Sequence, residues 1–348
     1  MISTHPVDII RRVRTLTSHR IHALPVVVLM PHGGCDCRCV MCDIWLANKE
    51  RRRLDICDLE PHLQSFRKLR VRRFVLSGGE ALLHDNLWEL CRLLRELGAG
   101  ITLLSTGLQL EAHATDVVQH CDDVIVSLDG PPQTHDAVRR VPRAFERLAA
   151  GIAALRDAQP GFRVTGRSVV QRANYALIES TIDTARRLGL DSISFLGADT
   201  DSDAFNRPEG WDEDRVSTVA LSLDQAHEFA TIIERLISQR GPDIASGFIA
   251  ESPQRLRDLA QHSAAAHGEG EPPARRCNAP WVSAVVEADG RIRPCFFHPP
   301  YATLADGPLH RSVNSDAAIA FRRQLDVAKD PICRVCVCTL QLSPFRSP

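Results

Sequence analysis

The chain has 348 residues, a length that fits one large domain with an appendage, or two domains. It is 44% hydrophobic and 24% charged, which is typical of a soluble globular protein. Its 42 Lys and Arg residues oppose 43 Asp and Glu residues, so bulk charge argues against a general nucleic-acid or membrane-surface binder. The apolar stretch at 23–30 is too short to cross a bilayer and wrongly placed for a cleaved signal peptide. We therefore expect a cytoplasmic protein without nucleic-acid or membrane partners.

From residue 24 to about 197, short apolar runs of β type alternate with longer segments of helical periodicity. Helix ends are readable at Asp58, an N-cap, at Asp85 before a helix at 87–97, and at Asn174 before a helix at 177–188. Such alternation predicts a parallel sheet, either open and doubly wound or closed into a full or partial barrel, with its functional loops at the carboxyl ends of the strands. The predicted strands are 25–30, 73–76, 101–105, 123–128, 164–170 and 192–196.

The pattern changes after about residue 198. Residues 199–215 are polar and predict a surface loop, 224–239 and 253–266 predict helices, and 267–276 is a Gly- and Pro-containing linker. Near the end, runs at 282–287 and 291–294 flank Asp289-Gly290, which predicts a hairpin, and 315–328 predicts a helix. We therefore divide the chain into an extension (1–23), a core (24–240), a helical linker (241–276) and a small C-terminal domain (277–348).

The 12 cysteines form two clusters near the two ends of the sequence and three isolated positions. In a reducing compartment, closely spaced cysteines indicate metal or redox sites, whereas isolated ones are usually buried small apolar residues. We therefore assign Cys57, Cys91 and Cys121 to structural roles and expect two functional sites.

The first cluster is a Cys-x3-Cys-x2-Cys frame made by Cys35, Cys39 and Cys42, directly after the first predicted strand. Three thiolates on one tight loop can hold three irons of a cubane cluster and leave the fourth iron open to a ligand. The alternative is structural zinc, which normally has four closed ligands and would require Cys37 as well. The spacing favours the iron–sulfur cluster.

Two further loops follow predicted strands. Residues 77–80 (Ser-Gly-Gly-Glu) follow the second strand, where Gly78 and Gly79 let backbone carbonyls approach a cationic group and Glu80 adds complementary charge. Residues 127–130 (Ser-Leu-Asp-Gly) end the fourth strand, and an ordinary turn is their alternative interpretation. Both loops lie where the functional loops of a barrel lie.

Together, the three loops resemble those of the radical S-adenosylmethionine (SAM) superfamily over residues 24–197. The resemblance implies a partial (β/α)6 TIM-like barrel. It also implies a 4Fe-4S cluster on Cys35, Cys39 and Cys42 whose open iron chelates SAM and, once reduced, cleaves it to a 5′-deoxyadenosyl radical. Cys37 is then an added thiol that we do not expect to ligate. The implied cofactor-binding residues are Met41 near adenine, Gly78, Gly79 and Glu80 at the methionine ammonium, Ser127, and Arg167 at the carboxylate, with Arg139 and Arg172 as alternatives to Arg167.

The second cluster reads Cys277-x12-Gly290-x4-Cys295, a gap, then Cys333-x2-Cys336. Four thiolates can close a site for either a 4Fe-4S cluster or zinc. The pattern resembles the twitch domain, the shortened relative of the SPASM domain, which implies one auxiliary 4Fe-4S cluster. Only Cys338 follows Cys336, so ligands for a second auxiliary cluster are missing, and whether Cys338 replaces one of the four stays open.

By this resemblance, an auxiliary cluster can accept the electron left after hydrogen abstraction. We therefore expect oxidation of a small polar metabolite, sugar- or cyclitol-like, by an oxidoreductase supplied with electrons by a donor such as flavodoxin or ferredoxin. About 23 residues precede the first strand, fewer than a leader-binding domain of a peptide maturase. Alternatives are a redox-neutral epimerase or decarboxylase, a peptide-modifying maturase, and a non-enzymatic metal-binding regulatory protein. The candidate bases are Asp129, Glu251 and His298.

Overall fold

The computed structural model describes residues 5–50, 52–207 and 210–346. Within these ranges the chain forms a nine-stranded sheet in the order β6-β5-β4-β3-β2-β1-β7-β8-β9. The first six strands run parallel, β7 runs parallel to β1, and β8 and β9 are antiparallel additions. The strands are β1 (Val26–His32), β2 (Arg73–Gly78), β3 (Gly100–Ser105), β4 (Asp123–Ser127), β5 (Arg163–Val170), β6 (Ile193–Gly197), β7 (Ser283–Val286), β8 (Arg291–Arg293) and β9 (Ala302–Thr303).

Helices follow the strands as crossovers and cover the sheet. The α-helices in the described ranges are α1 (Pro6–Ser18), α2 (Ile56–Leu59), α3 (Leu63–Lys68), α4 (Leu87–Arg95), α5 (Leu110–His120), α6 (Pro132–Arg139), α7 (Ala144–Ala158), α8 (Ile178–Arg187), α9 (Glu213–Val219), α10 (Leu223–Gln239), α11 (Gly241–Ala245), α12 (Pro253–Ala265), α13 (Ala279–Val282), α14 (Leu309–Ser312), α15 (Asp316–Gln324) and α16 (Pro331–Arg334). Short 3-10 helices span Ile44–Lys49, Glu60–His62, Ala81–Leu83, Tyr175–Leu177 and Leu304–Asp306. Among the described residues, no helix combines the length and the apolar character that crossing a bilayer requires.

The predicted partial (β/α)6 barrel is confirmed, and each of its six strands ends within two residues of the predicted position. One predicted helix start is wrong. Asp58 lies inside α2, whose N-cap is Asp55, and the Asp58 carboxylate accepts the Asp55 backbone N–H at 2.8 Å. The error is a three-residue shift within a capping box, whose two acidic ends are alike in sequence.

Alternate residues of the parallel strands serve two different surfaces, because side chains point to opposite faces of a strand. One set packs beneath the helices and is fully buried, as with Phe74, which meets Phe66 edge-on at a ring-centroid distance of 5.2 Å. The other set, including Val28, Val75 and Ile125, lines an interior cavity of about 550 Å³. The barrel strands therefore contribute to a packed core beneath the helices and to a cavity on their inner face.

The C-terminal region is continuous with the barrel sheet. The predicted hairpin is confirmed as β7 and β8 around Gly290, and β7 pairs with β1 from Val26↔Ser283 to Leu29↔Val286. The sequence did not indicate this parallel pairing, because its partner strand lies more than 250 residues away. As a result, the segment that carries the second cysteine cluster is fixed directly beside the strand that precedes the first.

Two segments pack more closely than predicted. Part of the linker at 241–276 extends the sheet, since Ile249 pairs with Ile193 at the edge of β6. The predicted surface loop at 199–215 contains a buried ion pair between Asp199 and Arg207. Each charge needs the other, because burying either one alone would be costly. Residues 208–209 of that loop, residues 1–4 of the predicted extension and residues 347–348 of the predicted C-terminal domain lie outside the described residues.

We expect Phe74→Ala to destabilise the protein by about 3–5 kcal/mol, because it leaves a cavity at a fully buried position against Phe66. Urea unfolding followed by circular dichroism measures the change. Val13→Ala, at a 40% exposed position, is the control and should change stability by less than about 0.5 kcal/mol. An equal effect of both substitutions would contradict the packing described.

Candidate metal centres and cofactor pocket

The first cysteine loop follows β1 and is held in place by backbone contacts from two directions. The Arg38 and Val40 N–H groups donate to the carbonyls of Arg139 and Val138 at the end of α6, at 3.1 and 3.0 Å. On the other side, the Asn48 amide accepts the Cys35 N–H and donates to the Cys35 carbonyl, both at 2.9 Å. Asn48 could not be predicted from the sequence, because an Asn in a short helical turn carries no motif.

The four thiols of this loop lie together. Cys37 and Cys39 are buried, while Cys35 and Cys42 are half-buried. The Cys37 thiol hydrogen-bonds with the sulfurs of Cys35 and Cys39, which raises its own pKa, and its bond to Cys39 lowers the pKa of Cys39 to about 7. The structure therefore places Cys37 among the predicted ligands, although we did not expect it to be one.

A buried cation adjoins these thiols. Arg139 lies 3.5 Å from the Cys39 sulfur through Nη1 and 2.5 Å from the Asp129 carboxylate through Nη2. Asp129 is fully buried and also accepts the Val169 N–H at 3.0 Å. Asp129 is also a candidate base; its Oδ1 accepts this backbone N–H, whereas its Oδ2 forms an ion pair with Arg139 and has no hydrogen-bond partner among the described residues. A guanidinium beside Cys39 favours a thiolate, the form in which cysteine binds metal.

Gly78 and Gly79 bring the end of β2 against the cysteine loop. Gly78 has φ +116°, and a Cβ on Gly79 would lie 2.0 Å from the Gly34 carbonyl oxygen. Only glycine allows this approach. Both glycines line a chamber of about 230 Å³ at the carboxyl ends of β1 and β2, where the sequence predicted a cofactor loop.

The Glu80 carboxylate is held by hydrogen bonds within the protein, and its predicted role at the cofactor ammonium stays a prediction. Its Oε2 accepts the Thr106 N–H at 2.6 Å, the Thr106 hydroxyl at 2.8 Å and the Ser105 hydroxyl at 3.0 Å, while its Oε1 accepts the Leu82 N–H at 3.1 Å. Burial and the neighbouring charge of Asp36 raise the pKa of Glu80 to about 7. Glu80 therefore fastens the loop after β2 to the end of β3.

The other predicted cofactor residues are divided between two places. Met41 packs with the buried thiols and Leu108 beside the cysteine loop. Arg167 faces the 550 Å³ interior cavity, and its Nε donates to the Ser194 hydroxyl at 3.4 Å. Ser127 pairs with Arg167 between β4 and β5. The alternative Arg172 lies on the surface and donates to the Ala220 carbonyl. The structure thus does not bring Arg167 into the chamber of Gly78 and Gly79.

The C-terminal cysteines gather around the interior cavity. Its wall includes the four predicted ligands and also Cys338. Burial and the neighbouring Cys277 thiol raise the pKa of Cys338, against the opposing effect of Arg167. Burial raises the pKa of Cys295 to about 11 and of Cys336 to about 12. Burial therefore disfavours the thiolate form of each of these cysteines. A bound metal group would stabilise several thiolates at once. Five thiols around one cavity fit such a group.

The two remaining base candidates differ sharply. His298 is buried, with Nε2 at 3.3 Å from the Cys333 sulfur and 3.6 Å from the Asp330 carboxylate, so it belongs to the cysteine site. Glu251 accepts the Phe195 N–H through Oε1 at 3.0 Å, whereas its buried Oε2 has no hydrogen-bond partner in the part of the chain described. Burial raises the pKa of Glu251 to about 7, against the opposing effects of the Phe195 N–H and Arg167.

Two family models match the chain. Residues 29–185 match the Radical SAM superfamily, and residues 277–337 match SPASM, an iron-sulfur cluster-binding domain. The chain belongs to the radical SAM superfamily. The cofactors of this superfamily are SAM and a 4Fe-4S cluster, and the SPASM domain binds iron–sulfur clusters. The thiol sets described above fit both groups.

Curated relatives match part of this radical SAM chain. An AdoMet-dependent heme synthase from Methanosarcina barkeri is 33% identical over 118 residues, which cover 33% of this chain and 33% of the relative. A pre-heme d1 synthase from Dinoroseobacter shibae is 26% identical over 197 residues, which cover 56% of this chain and 48% of the relative. The mycofactocin maturase MftC from Mycobacterium ulcerans is 26% identical over 175 residues, covering 48% and 47%. The chain thus spans a third to a half of the length of these relatives.

Solved structures share the fold. SuiB from Streptococcus suis bound to S-adenosylmethionine has a TM-score of 0.64 at 14% identity, covering 95% of this chain and 78% of that one. The enzyme anSMEcpe with bound AdoMet has a TM-score of 0.63 at 16% identity, covering 88% and 84%. These likenesses confirm the partial barrel with its C-terminal domain.

We expect Cys39→Ala to lose the irons of the first cluster, about four per chain, whereas Cys37→Ala keeps them. Cys37 is the matched control because it is equally buried and two residues away. Iron and sulfide analysis after anaerobic reconstitution measures both. Equal loss in Cys37→Ala would make Cys37 a ligand.

We also expect Gly79→Ala to weaken SAM binding by at least about tenfold, because the added Cβ displaces the Gly34 carbonyl and with it the cysteine loop. Equilibrium dialysis of the reconstituted protein with labelled SAM measures the affinity. The control Gly241→Ala has no atom within 4 Å of the added Cβ and should bind SAM normally. Unchanged binding in Gly79→Ala would exclude this loop from the SAM site.

Proposed function

We propose that this enzyme oxidises a C–H bond of a small polar metabolite, such as an alcohol carbon of a sugar or cyclitol, with the C-terminal cluster as electron acceptor. The observation that carries the proposal is the position of Phe296. Phe296 lines both the 230 Å³ chamber at Gly78 and Gly79 and the 550 Å³ cavity of the C-terminal cysteines, and it directly follows Cys295. A substrate in the chamber would be separated from the auxiliary site by this residue.

The character of the chamber supports a small polar substrate. Its wall combines the two glycines with charged side chains from β8 and neighbouring loops, including Arg52, Arg293 and Glu287. Arg293 is buried and pairs with Glu287 at 3.0 Å, so the charges are fixed before a ligand arrives.

In this proposal, residues 24–240 form the catalytic core, 241–276 support its last strand, and 277–348 hold the auxiliary group. When bound, SAM and the iron–sulfur clusters supply hydrogen-atom abstraction and one-electron transfer. Cys35, Cys39 and Cys42 hold the SAM-binding cluster, and Cys277, Cys295, Cys333 and Cys336 hold the single auxiliary cluster. Met41, Gly78, Gly79, Glu80, Ser127 and Arg167 are the residues proposed to bind SAM. Gly78 and Gly79 line the 230 Å³ chamber, Met41 packs beside the thiols, and Ser127 lies beside Arg167, which faces the interior cavity.

We propose Glu251 as the base, although it is not among the residues that line the chamber or the interior cavity. Its buried Oε2 is unpartnered among the described residues, and its pKa of about 7 lets it accept a proton at neutral pH. Asp129 and His298 are less suited to this role, because Asp129 forms an ion pair with Arg139 and His298 contacts Cys333.

The proposed reaction is tested by anaerobic incubation of the reconstituted enzyme with SAM, a reductant and a panel of sugars and aminocyclitols. We expect one 5′-deoxyadenosine per product, with the product two hydrogens lighter than the substrate. Product of unchanged oxidation state would favour an epimerase or decarboxylase, and turnover of peptides alone would favour a maturase. No 5′-deoxyadenosine under any condition would favour a metal-binding regulatory protein.

We expect iron per chain to fall from about eight to about four in the variant with Cys35, Cys39 and Cys42 all replaced by alanine, because only the auxiliary cluster remains. Iron and sulfide assays after anaerobic reconstitution provide the measurement. A fall from about four to none would mean that the C-terminal cysteines hold zinc or no metal, and redox-neutral chemistry would replace the proposed oxidation.

We expect turnover to rise from about pH 6 to about pH 8 with an apparent pKa near 7, since Glu251 must be deprotonated to act as a base. Glu251→Gln should lower turnover by about 10²–10⁴-fold and abolish this rise. The pH dependence of product formation measures both effects. A Gln variant that keeps the wild-type profile would remove Glu251 from the mechanism.

A further inference from the structure

Helix α1 is amphipathic in the opposite sense to an ordinary surface helix. Its buried residues are polar, namely Asp8, Arg12 and Thr15. Its exposed face is apolar. Three of the five large hydrophobic residues exposed in the described part of the chain lie on it, namely Val7 (43%), Ile10 (66%) and Val13 (40%). A contiguous apolar stripe on a surface marks an interaction site more often than scattered apolar residues do.

The buried polar face fixes this orientation. Asp8 pairs with Arg70 at 2.7 Å and with Arg72 at 2.6 Å, and the Thr15 hydroxyl accepts the His22 N–H at 2.9 Å. Arg12 donates to the Arg346 carbonyl at 2.5 Å. Turning the apolar stripe inward would break all of these contacts, so the helix holds the stripe outward.

A rim of cations surrounds the stripe. None of its members forms an ion pair with a carboxylate in the described ranges. Their positive charge acts on two nearby histidines. The pKa of His22 is lowered by burial and by Arg14, Arg20 and Arg11. The pKa of His310 is lowered by burial, Lys68 and Arg311. Asp306 and Asp316 line an adjacent groove with Arg20 and Arg311 but do not pair with them. The rim consists of Arg11, Arg14, Arg20, Lys68 and Arg311.

Apolar residues and cations meet in one surface groove of about 490 Å³. Ile10, Ile21 and Leu69 contribute to its apolar wall, and Arg14 and Lys68 contribute positive charge. An apolar centre within a charged rim is the common form of a protein docking surface, and the sign of the rim selects an acidic partner.

The groove lies on the auxiliary side of the molecule. His19, which caps α1, accepts the Trp281 indole N–H at 3.2 Å. Trp281 belongs to α13, which begins two residues after Cys277, and the Ala279 N–H at its start donates to the Cys277 sulfur at 3.5 Å. The helix that carries the apolar stripe is therefore joined through His19 and Trp281 to the segment that carries an auxiliary thiol.

We propose that the α1 face, defined by Val7, Ile10 and Val13 with the surrounding cations, docks an acidic one-electron carrier protein beside the auxiliary site. Small redox carriers bind through interfaces at the low end of the size range, for which one helix face and its rim suffice. The choice of a redox carrier rests on the proposed function, while the docking itself is measured without substrate or SAM. Failure of one is therefore distinguishable from failure of the other.

The experiment uses the reconstituted full chain, immobilised anaerobically, with an acidic flavodoxin as the probe in biolayer interferometry. We expect binding that weakens steeply as salt is raised. Arg14→Glu with Lys68→Glu should raise the Kd at least about tenfold, and Ile10→Ser about threefold or more. Arg92→Glu with Arg187→Glu, on α4 and α8, makes the same change in net charge elsewhere and should leave the Kd within about twofold.

Circular dichroism and iron content verify that each variant is folded and loaded. Equal weakening by the two double variants would mean that only net charge matters and would overturn the proposal. So would unchanged binding in the Arg14 and Lys68 variant. Loss of a concentration-dependent dimer in Ile10→Ser would instead assign the face to a second copy of the chain, and binding to anionic vesicles but not to flavodoxin would assign it to a lipid surface.

Discussion

The site depends on one buried ion pair, between Asp129 and Arg139. Asp129 lies two residues after β4, and Arg139 ends the helix that follows it, so their contact closes the β4 crossover onto the cysteine loop. Because Asp129 is fully buried, its charge is tolerable only while Arg139 is in place. The free side of the guanidinium then reaches the Cys39 sulfur. A stability requirement of the barrel and the electrostatics of a metal ligand are thus met by the same side chain.

Parallel pairing of β7 with β1 gives the second constraint. It places the chain that leads to Cys295 against the strand that leads to Cys35, although about 240 residues separate the first members of the two thiol groups. Phe296 lines both cavities. The C-terminal domain is therefore better understood as a continuation of the barrel sheet than as a separate body carried beside it.

The sequence predicted what is encoded locally. Strand periodicity located the six parallel strands, and short cysteine spacings located both thiol groups, because neighbours along the chain are neighbours in space. Contacts between distant segments could not be predicted from the sequence. The engagement of Glu80 with Thr106, the pairing of Asp129 with Arg139 and the clamp of Asn48 on Cys35 all depend on tertiary neighbours. Cys37 shows the limit most clearly, since spacing alone cannot say that its thiol lies against two others.

An incomplete barrel has two free sheet edges, and unpaired edges are templates for aggregation. Here one edge is the two-residue β9, too short to recruit another strand. At the other edge, Ile249 pairs with Ile193 of β6. The next outward N–H group of this strand, that of Phe195, donates to the Glu251 carboxylate. The gap between the edges can therefore stay open for small molecules without offering a surface on which another chain could add a strand.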